Sequence, residues 1–197
     1  MERKLKPIEV QLKLQRKGVR LFSPEEFRRV FLVTLRAAQE FIKDHTRDLF
    51  IKLRNGLYAL RMDPPNELEI ANRLYQPSYI SFEYALHHHH MIPEATYAVT
   101  SATTKTTTEF VVQGKSYEYS RLKKAAYRGY EFAKIANTGV LIATPEKALI
   151  DYLYFVDLKL KSLNERLSVR KINKKEALRY AKTFGRESLL ALLREVL

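Results

Sequence analysis

The sequence predicts a mixed α+β protein, and three observations support this. Three short helical patterns fill the first 45 residues, and two alternating apolar runs follow them on either side of Asn55-Gly56. The middle of the chain is rich in β-branched and aromatic residues, and its C-terminal end returns to helical spacing. With 197 residues and 46% hydrophobic content, the chain is long enough for a small module followed by a larger one.

Three helices are predicted in the N-terminal region. The first covers Pro7 to Lys17, where apolar residues recur among charges until a glycine ends the pattern. The second covers Ser23 to Phe31, because a capping serine, a proline and two glutamates favour a helix start. The third is capped by Thr34 and ends near His45, with an apolar face and a charged outer face.

A β-hairpin is predicted directly after these helices. Residues 49–54 and 57–60 are apolar, alternating runs separated by Asn55-Gly56. Both residues accept positive φ at little cost, so the pair predicts a type I′ turn. Three short helices followed by a basic hairpin predict a winged helix-turn-helix domain over residues 1–62.

A second domain is predicted over residues 66–197, because Pro64-Pro65 breaks any continuing element and supplies a stiff connection. It is expected to be a larger α/β domain with an antiparallel meander and C-terminal helices. The predicted helices are Glu67 to Tyr75, one capped by Ser81, Thr144 to Val156, and two between Asn173 and Leu197. The predicted strands include residues 97–100, 109–112, 117–119, 132–135 and 140–143.

The charge of the chain indicates a polyanionic partner. The formal net charge is +13, from 35 Lys and Arg against 22 Asp and Glu. Residues 1–61 hold 15 basic and 7 acidic side chains, so most of the excess lies in the predicted winged helix.

Several classes of protein are excluded by composition. The chain has no cysteine, and therefore no disulfide framework, thiolate nucleophile or cysteine-built zinc site. With six glycines and no phosphate-cradling glycine loop, it is not a P-loop nucleotide hydrolase, and no cofactor is expected. No stretch approaches the roughly 20 apolar residues of a membrane span, and the N-terminus lacks the apolar core of a signal peptide. The protein is therefore expected in the cytoplasm.

The predicted third helix carries residue types that read base edges. Arg36, Gln39 and Lys43 repeat at three and four residues on one face, although a merely solvated amphipathic face would show the same spacing. In a winged helix this helix enters the major groove, while the hairpin tip approaches the DNA backbone. The candidate DNA-binding residues are Thr34, Arg36, Gln39, Lys43, Lys52, Arg54 and Asn55.

Four short segments resemble one known family. They are Arg54 to Tyr58, Ile70 to Leu74, Pro77 to Ser81 together with Ala85-Leu86, and Thr144 to Asp151. In this order, over roughly residues 50 to 155, they resemble the AbiEi family of antitoxin-type transcriptional regulators, from type IV toxin-antitoxin systems of the abortive-infection kind. The sequence departs from that family at His87 to His90, where the family tends to have a glycine.

The resemblance implies a repressor of its own promoter. Family members bind inverted repeats through the N-terminal winged helix, here as two copies on a repeat. Their C-terminal domain opposes a nucleotidyltransferase-like toxin encoded beside it, and no stable complex with that toxin is expected. No catalytic residue is implied.

Two alternatives to this function remain open. Glu146 and Asp151 beside Lys147 could hold magnesium in a nuclease-like domain, although the four-residue spacing of Lys147 and Asp151 favours a surface ion pair. The basic charge could instead serve a protein or RNA partner in a non-catalytic interaction module. The run His87 to His90 offers two ligands at most on one helical face, so no metal site is expected.

Overall fold

The structure, a computed structural model, describes residues 5–135 and 137–197. Within these residues the chain is mixed α+β, with eight α-helices and nine β-strands. It forms two compact units that divide between Leu74 and Tyr75. None of the helices in the described part of the chain is long and apolar enough to cross a membrane.

The first unit has helices and strands close to the predicted positions. Its elements are α1 (Pro7–Arg16), β1 (Leu21–Phe22), α2 (Pro24–Phe31), α3 (Leu35–Asp44), β2 (Phe50–Arg54), β3 (Leu57–Leu60) and α4 (Glu67–Leu74). The three strands form an antiparallel sheet in the order β1-β3-β2. Helix α2 begins with a capping box, in which the Ser23 hydroxyl accepts from the Glu26 N–H at 3.2 Å and the Glu26 carboxylate accepts from the Ser23 N–H at 2.7 Å.

An aromatic core holds the first unit together. Phe22, Phe27 and Phe50 are fully buried, and the Phe22 ring lies 5.0 Å from the Phe50 ring in edge-to-face contact. Val10 and Leu14 of α1 and Ile42 of α3 complete the same cluster. Three helices and the sheet therefore share one core.

The turn of the β2–β3 hairpin differs from the prediction. A type I′ turn needs positive φ at both central residues, but only Gly56, at φ 75°, has it, whereas Asn55 does not. The pairing register shifts between Lys52 and Arg54, so a bulge accommodates the reversal. The hairpin forms where the sequence places it, but the type I′ prediction was wrong.

Helix α4 belongs to the first unit, whereas the sequence analysis placed it in a domain beginning at residue 66. Arginine side chains attach it there. The Arg20 guanidinium lies 3.8 Å from the Glu69 carboxylate, and Arg73 pairs with Glu26 of α2 at 2.6 Å. The paired prolines interrupt the chain, but they do not mark the boundary between the units. The ion pairs of Arg20 and Arg73 join α4 to the first unit, and no local sequence pattern reveals them.

The second unit is a six-stranded sheet with four helices. Its elements are β4 (Ser78–Ile80), α5 (Phe82–His88), β5 (Val99–Thr103), β6 (Thr108–Val112), β7 (Lys115–Arg121), a 3-10 helix (Lys124–Ala126), β8 (Tyr130–Ile135), β9 (Thr138–Ala143), α6 (Pro145–Asp157), α7 (Lys174–Lys182) and α8 (Glu187–Val196). The strand order is β6-β7-β5-β4-β9-β8.

This sheet is mixed, so the predicted antiparallel meander was wrong. Strand β5 pairs with β7 in parallel rather than with β6, and β4 pairs with β9 in parallel. The other three pairings are antiparallel. All five residues of β5 are buried, as expected for a strand inside a sheet rather than one at its edge.

Helix α6 is the central helix of the second unit. Seven consecutive residues, from Lys147 to Leu153, are buried, so the helix is enclosed on all sides over two turns. Thr144 caps its N-terminus by accepting from the Lys147 N–H at 3.3 Å. A lysine and an aspartate therefore enter the interior of this unit.

Candidate nucleic-acid interface

Helices α2 and α3 form a tightly linked pair. They are separated by Leu32, Val33 and Thr34, and Leu32 adopts the left-handed conformation that reverses the chain. The Thr34 hydroxyl accepts from the Ala37 N–H at 3.2 Å and starts α3. Thr34, predicted as a DNA contact, therefore acts as an N-cap whose side chain is already hydrogen-bonded.

The outer face of α3 carries the predicted base-reading residues. Arg36, Gln39 and Lys43 are all exposed, whereas Ala38 and Ile42 on the opposite face are buried in the core. The structure thus brings the three polar side chains to one accessible face, as the three- and four-residue spacing predicts. Burial of the opposite face fixes which side of the helix a partner can reach.

Arg36 has an ion-pair partner on the same helix. Its Nε donates to Glu40 Oε1 at 2.9 Å, and the two side chains are 88% and 62% exposed. Exposed pairs of this kind contribute little to stability, because water screens the attraction between the two charges. Arg36 can therefore exchange Glu40 for a stronger acceptor, such as a base edge or a phosphate, at small cost.

The hairpin presents Lys52 and Asn55 to solvent, but Arg54 is engaged. Arg54 Nε donates to the Leu74 carbonyl at 2.7 Å, and its Nη1 donates to the Asn55 carbonyl at 2.7 Å. The first of these bonds satisfies a carbonyl at the C-terminus of α4. Two of the five N–H groups of Arg54 therefore hold the hairpin and α4 together.

One candidate was missed by the sequence analysis. Arg47 follows α3, is exposed, and makes no side-chain hydrogen bond or ion pair within the described residues. It lies in the turn directly after α3, and its basic charge next to the predicted helix is the signal that could have identified it.

In the second unit, two of the family-like segments meet at a buried polar network. Asp151 is fully buried and accepts hydrogen bonds at 2.8 Å from the hydroxyls of Tyr79 and Ser81, as well as binding the Lys147 ammonium. Lys147 is also fully buried, and its Nζ lies 4.9 Å from the centre of the Phe184 ring. The predicted ion pair between Lys147 and Asp151 exists, but it is interior rather than on the surface.

Burial perturbs both charges of this network. Desolvation raises the pKa of Asp151, opposed by Lys147 and the two hydroxyl donors. Desolvation likewise lowers the pKa of Lys147, opposed by Asp151. Burial and the neighbouring carboxylate also raise the pKa of Tyr79 well above its usual range.

The acidic residues considered for a magnesium site have different partners. Glu146 accepts from the Asn173 N–H at 3.1 Å, whereas Asp151 faces the buried network. In the described part of the chain, no group of three or more His, Asp or Glu side chains could hold a metal ion. The geometry therefore does not unite Glu146 and Asp151 in a metal centre.

The histidine run spans the end of α5 and the loop after it. His89 Nε2 lies 2.8 Å from the Ala143 carbonyl oxygen, so this nitrogen carries the proton and donates it. His90 has a φ of 58° and is exposed. The four imidazoles thus differ in environment and do not converge on one point.

Comparison with known proteins adds no further assignment. No protein-family model matches the chain, and no curated protein has a sequence that matches it. Membership of the AbiEi family is therefore a proposal that rests on the four sequence segments given above.

Proposed function

We propose that the protein is a cytoplasmic, sequence-specific regulator that binds double-stranded DNA through a winged helix formed by residues 5–74. The observation that supports this best is the outer face of α3, where Arg36, Gln39 and Lys43 are exposed together opposite a fully packed inner face. The order of elements, with three helices, a first short strand and a closing hairpin, is that expected of a winged helix.

The dimensions of α3 suit the major groove. Its 10 residues span about 15 Å, and the groove is about 12 Å wide. Arginine pairs with the O6 and N7 of guanine, and glutamine with the N6 and N7 of adenine, so Arg36 and Gln39 would supply sequence preference. Lys43 and Arg47, at and beyond the end of the helix, would contact phosphates.

The hairpin would contact the DNA backbone beside the groove. Lys52 and Asn55 are exposed on it and are available to phosphate oxygens. Arg54 supports this contact from behind, because its bonds to the Leu74 and Asn55 carbonyls hold the tip in place. We therefore assign Arg54 mainly a positioning role and the contacts themselves to its neighbours.

The resemblance to AbiEi regulators extends the proposal to biology. The protein would repress its own promoter by binding inverted repeats as two copies. As an antitoxin of a type IV system, it would oppose a nucleotidyltransferase-like toxin without forming a stable complex with it. This part of the proposal requires two observations. A reading frame for such a toxin should lie beside this gene, and co-expression of the chain should relieve the toxicity of its product.

The DNA-binding proposal is tested by titrating the full chain against its own upstream DNA and a scrambled duplex. Fluorescence anisotropy should show tighter binding to the upstream DNA, and Arg36→Ala should weaken it about tenfold or more while leaving the scrambled duplex much less affected. Arg179→Ala is the matched control, because Arg179 is also an exposed helical arginine paired with a glutamate, at 2.5 Å and 65% exposed.

Two outcomes would reject the proposal. Equal affinity for both duplexes, with no loss in Arg36→Ala, would remove sequence-specific binding by α3. Equal affinity for the upstream DNA and for single strands would instead favour an interaction module for RNA or protein partners.

A further inference from the structure

The second unit contains a cleft of about 200 Å³ in which basic side chains stand beside the apolar Met91, Pro145 and Ile172. Its lining includes His89, His90, Ser168, Arg170 and Lys171, and contains no carboxylate. We call this the basic cleft. His90, Arg170 and Lys171 carry nitrogen donors and Ser168 carries a hydroxyl, which together form a donor set suited to an anion, whereas the Nε2 proton of His89 is already donated to Ala143.

Two cationic side chains of the basic cleft have no partner among the residues that the structure describes. Arg170 and Lys171 are exposed, and neither side chain makes a hydrogen bond or ion pair with any residue that the structure describes. Of the carboxylates in the adjoining segments, Glu83 binds Lys161 and Glu94 binds Arg166, whereas Glu165 is exposed and does not line the cleft. The charge of the cleft is therefore not neutralised from within this part of the chain.

The walls of the basic cleft are held in place. His89 donates from Nε2 to the Ala143 carbonyl at 2.8 Å, and the Ser168 N–H donates to the Met91 carbonyl at 2.7 Å. These bonds join the segment after α5 to strand β9 on one side and to the segment before α7 on the other. A site whose walls are fixed before binding loses less entropy when a ligand enters.

The N-terminus of α6 adds to the positive character. Pro145, its first residue, lines the cleft, and the macrodipole of this 13-residue helix places partial positive charge there. Glu146 is the one carboxylate at this end, and its Oε1 is bound by the Asn173 N–H at 3.1 Å. It reduces the positive potential beside Pro145 but leaves Arg170 and Lys171 unpaired.

From this combination we propose that the basic cleft binds the phosphate or diphosphate group of a small molecule. The cationic side chains disfavour a metal ion, because arginine and lysine would repel it and no carboxylate lines the cleft. A volume of about 200 Å³ lies below the roughly 300–1,000 Å³ of pockets that enclose a whole drug-sized ligand. It suits a charged group whose remainder lies outside the cleft.

The test is a calorimetric titration of the full chain with inorganic pyrophosphate at low ionic strength. The double variant Arg170→Gln/Lys171→Gln should bind pyrophosphate at least about tenfold more weakly than the unchanged chain, because it lacks two charge-assisted contacts. The control is Lys124→Gln/Lys134→Gln, which removes the same charge from exposed positions elsewhere in the unit and should leave affinity unchanged.

Two results would overturn the proposal. Equal weakening in both double variants would show general charge attraction, and no binding by the unchanged chain at millimolar pyrophosphate would show that the cleft has no such site.

A second titration uses a 12-nucleotide single strand. Binding of that strand with the same dependence on Arg170 and Lys171, and more tightly than pyrophosphate, would assign the cleft to nucleic acid instead. Because these residues lie outside residues 5–74, failure here leaves the DNA-binding proposal untouched.

Discussion

Replacing Lys147 by methionine should destabilise the second unit strongly. The substitution keeps an apolar side chain of similar length but removes the cation that neutralises Asp151, which is fully buried. The Tyr79 and Ser81 hydroxyls still donate to Asp151, yet they supply no opposite charge. Breaking a buried ion pair from one side typically costs about 3–5 kcal/mol.

Thermal unfolding followed by circular dichroism measures this cost. A loss of 3 kcal/mol or more should lower the melting temperature of the second unit by on the order of 10 °C. Lys182→Met is the matched control, because Lys182 is exposed on α7, and its loss should change stability by no more than about 0.5 kcal/mol.

A double variant separates charge from packing. In Lys147→Met/Asp151→Asn no buried charge is left unpaired, and the amide oxygen can still accept from a hydroxyl, so this variant should be more stable than Lys147→Met alone. If the double variant is instead as unstable as the sum of the single losses, or if Lys147→Met melts like the unchanged chain, the reasoning about the buried pair is refuted.

The same variant should acquire a distinct pH dependence. Burial raises the pKa of Asp151, and removal of Lys147 takes away the largest opposing influence. The unfolded state of Lys147→Met loses the Asp151 proton near an aspartate pKa of about 3.9, whereas the folded state keeps that proton until the pH reaches the raised pKa. Its stability should therefore fall as pH rises from about 4 through the raised folded pKa, and Asp151→Asn in the same background should abolish this slope.

Two further predictions concern the first unit. Arg54→Ala should lower the unfolding free energy of this unit by about 1–2 kcal/mol, because the Leu74 carbonyl loses its donor. Urea denaturation measures this loss, and an unchanged midpoint would show that the bond contributes nothing. Burial alone would raise the pKa of Glu26, but hydrogen bonds from Arg73 and the Ser23 N–H lower it overall. The ionised Glu26 should therefore stabilise the unit above about pH 4.3, and this stabilisation should be lost as pH falls through the lowered pKa. Acid titration of Glu26→Gln should therefore show a shallower loss of stability below pH 5, and identical acid curves would contradict this.

Helix starts were the most predictable part of the fold. Ser23 and Thr34 were predicted as caps, and each accepts a hydrogen bond from the backbone N–H three residues ahead. Ser81 was also predicted as a cap, but its hydroxyl makes no capping bond and donates to Asp151 instead. Capping depends on residues within one turn of each other, so the sequence pattern contains nearly all the information needed.

Strand pairing was less predictable. Periodicity indicated β5 and β6 but not that β5 would pair with β7, since alternation describes the faces of a strand and not its neighbour. The turns of two hairpins, β2–β3 and β6–β7, show the same limit. Asn55-Gly56 has one residue with positive φ, whereas Gln113-Gly114, for which no turn type was predicted, has positive φ at both.

The candidate interface was predicted in part. The exposed face of α3 follows from helical spacing, and Arg36, Gln39 and Lys43 lie on it as expected. The engagement of Arg54 by Leu74 could not be foreseen, because the two residues are 20 positions apart and meet only through tertiary structure. The burial of Lys147 and Asp151 has the same origin, since spacing of four residues is common to surface and interior pairs.

The arginines that attach α4 limit how much of the N-terminal charge can act on DNA. Arg20, Arg54 and Arg73 are held by carboxylates or carbonyls of the same unit, so the number of its basic residues overstates the cations free to displace counterions. Counterion release scales at about 0.9 per phosphate neutralised, and about four free cations on α3 and the hairpin would give a logarithmic salt slope near −4. Part of the arginine content of this unit therefore serves its own cohesion, and if the unit binds DNA as proposed, its affinity would be less sensitive to salt than the number of its basic residues suggests.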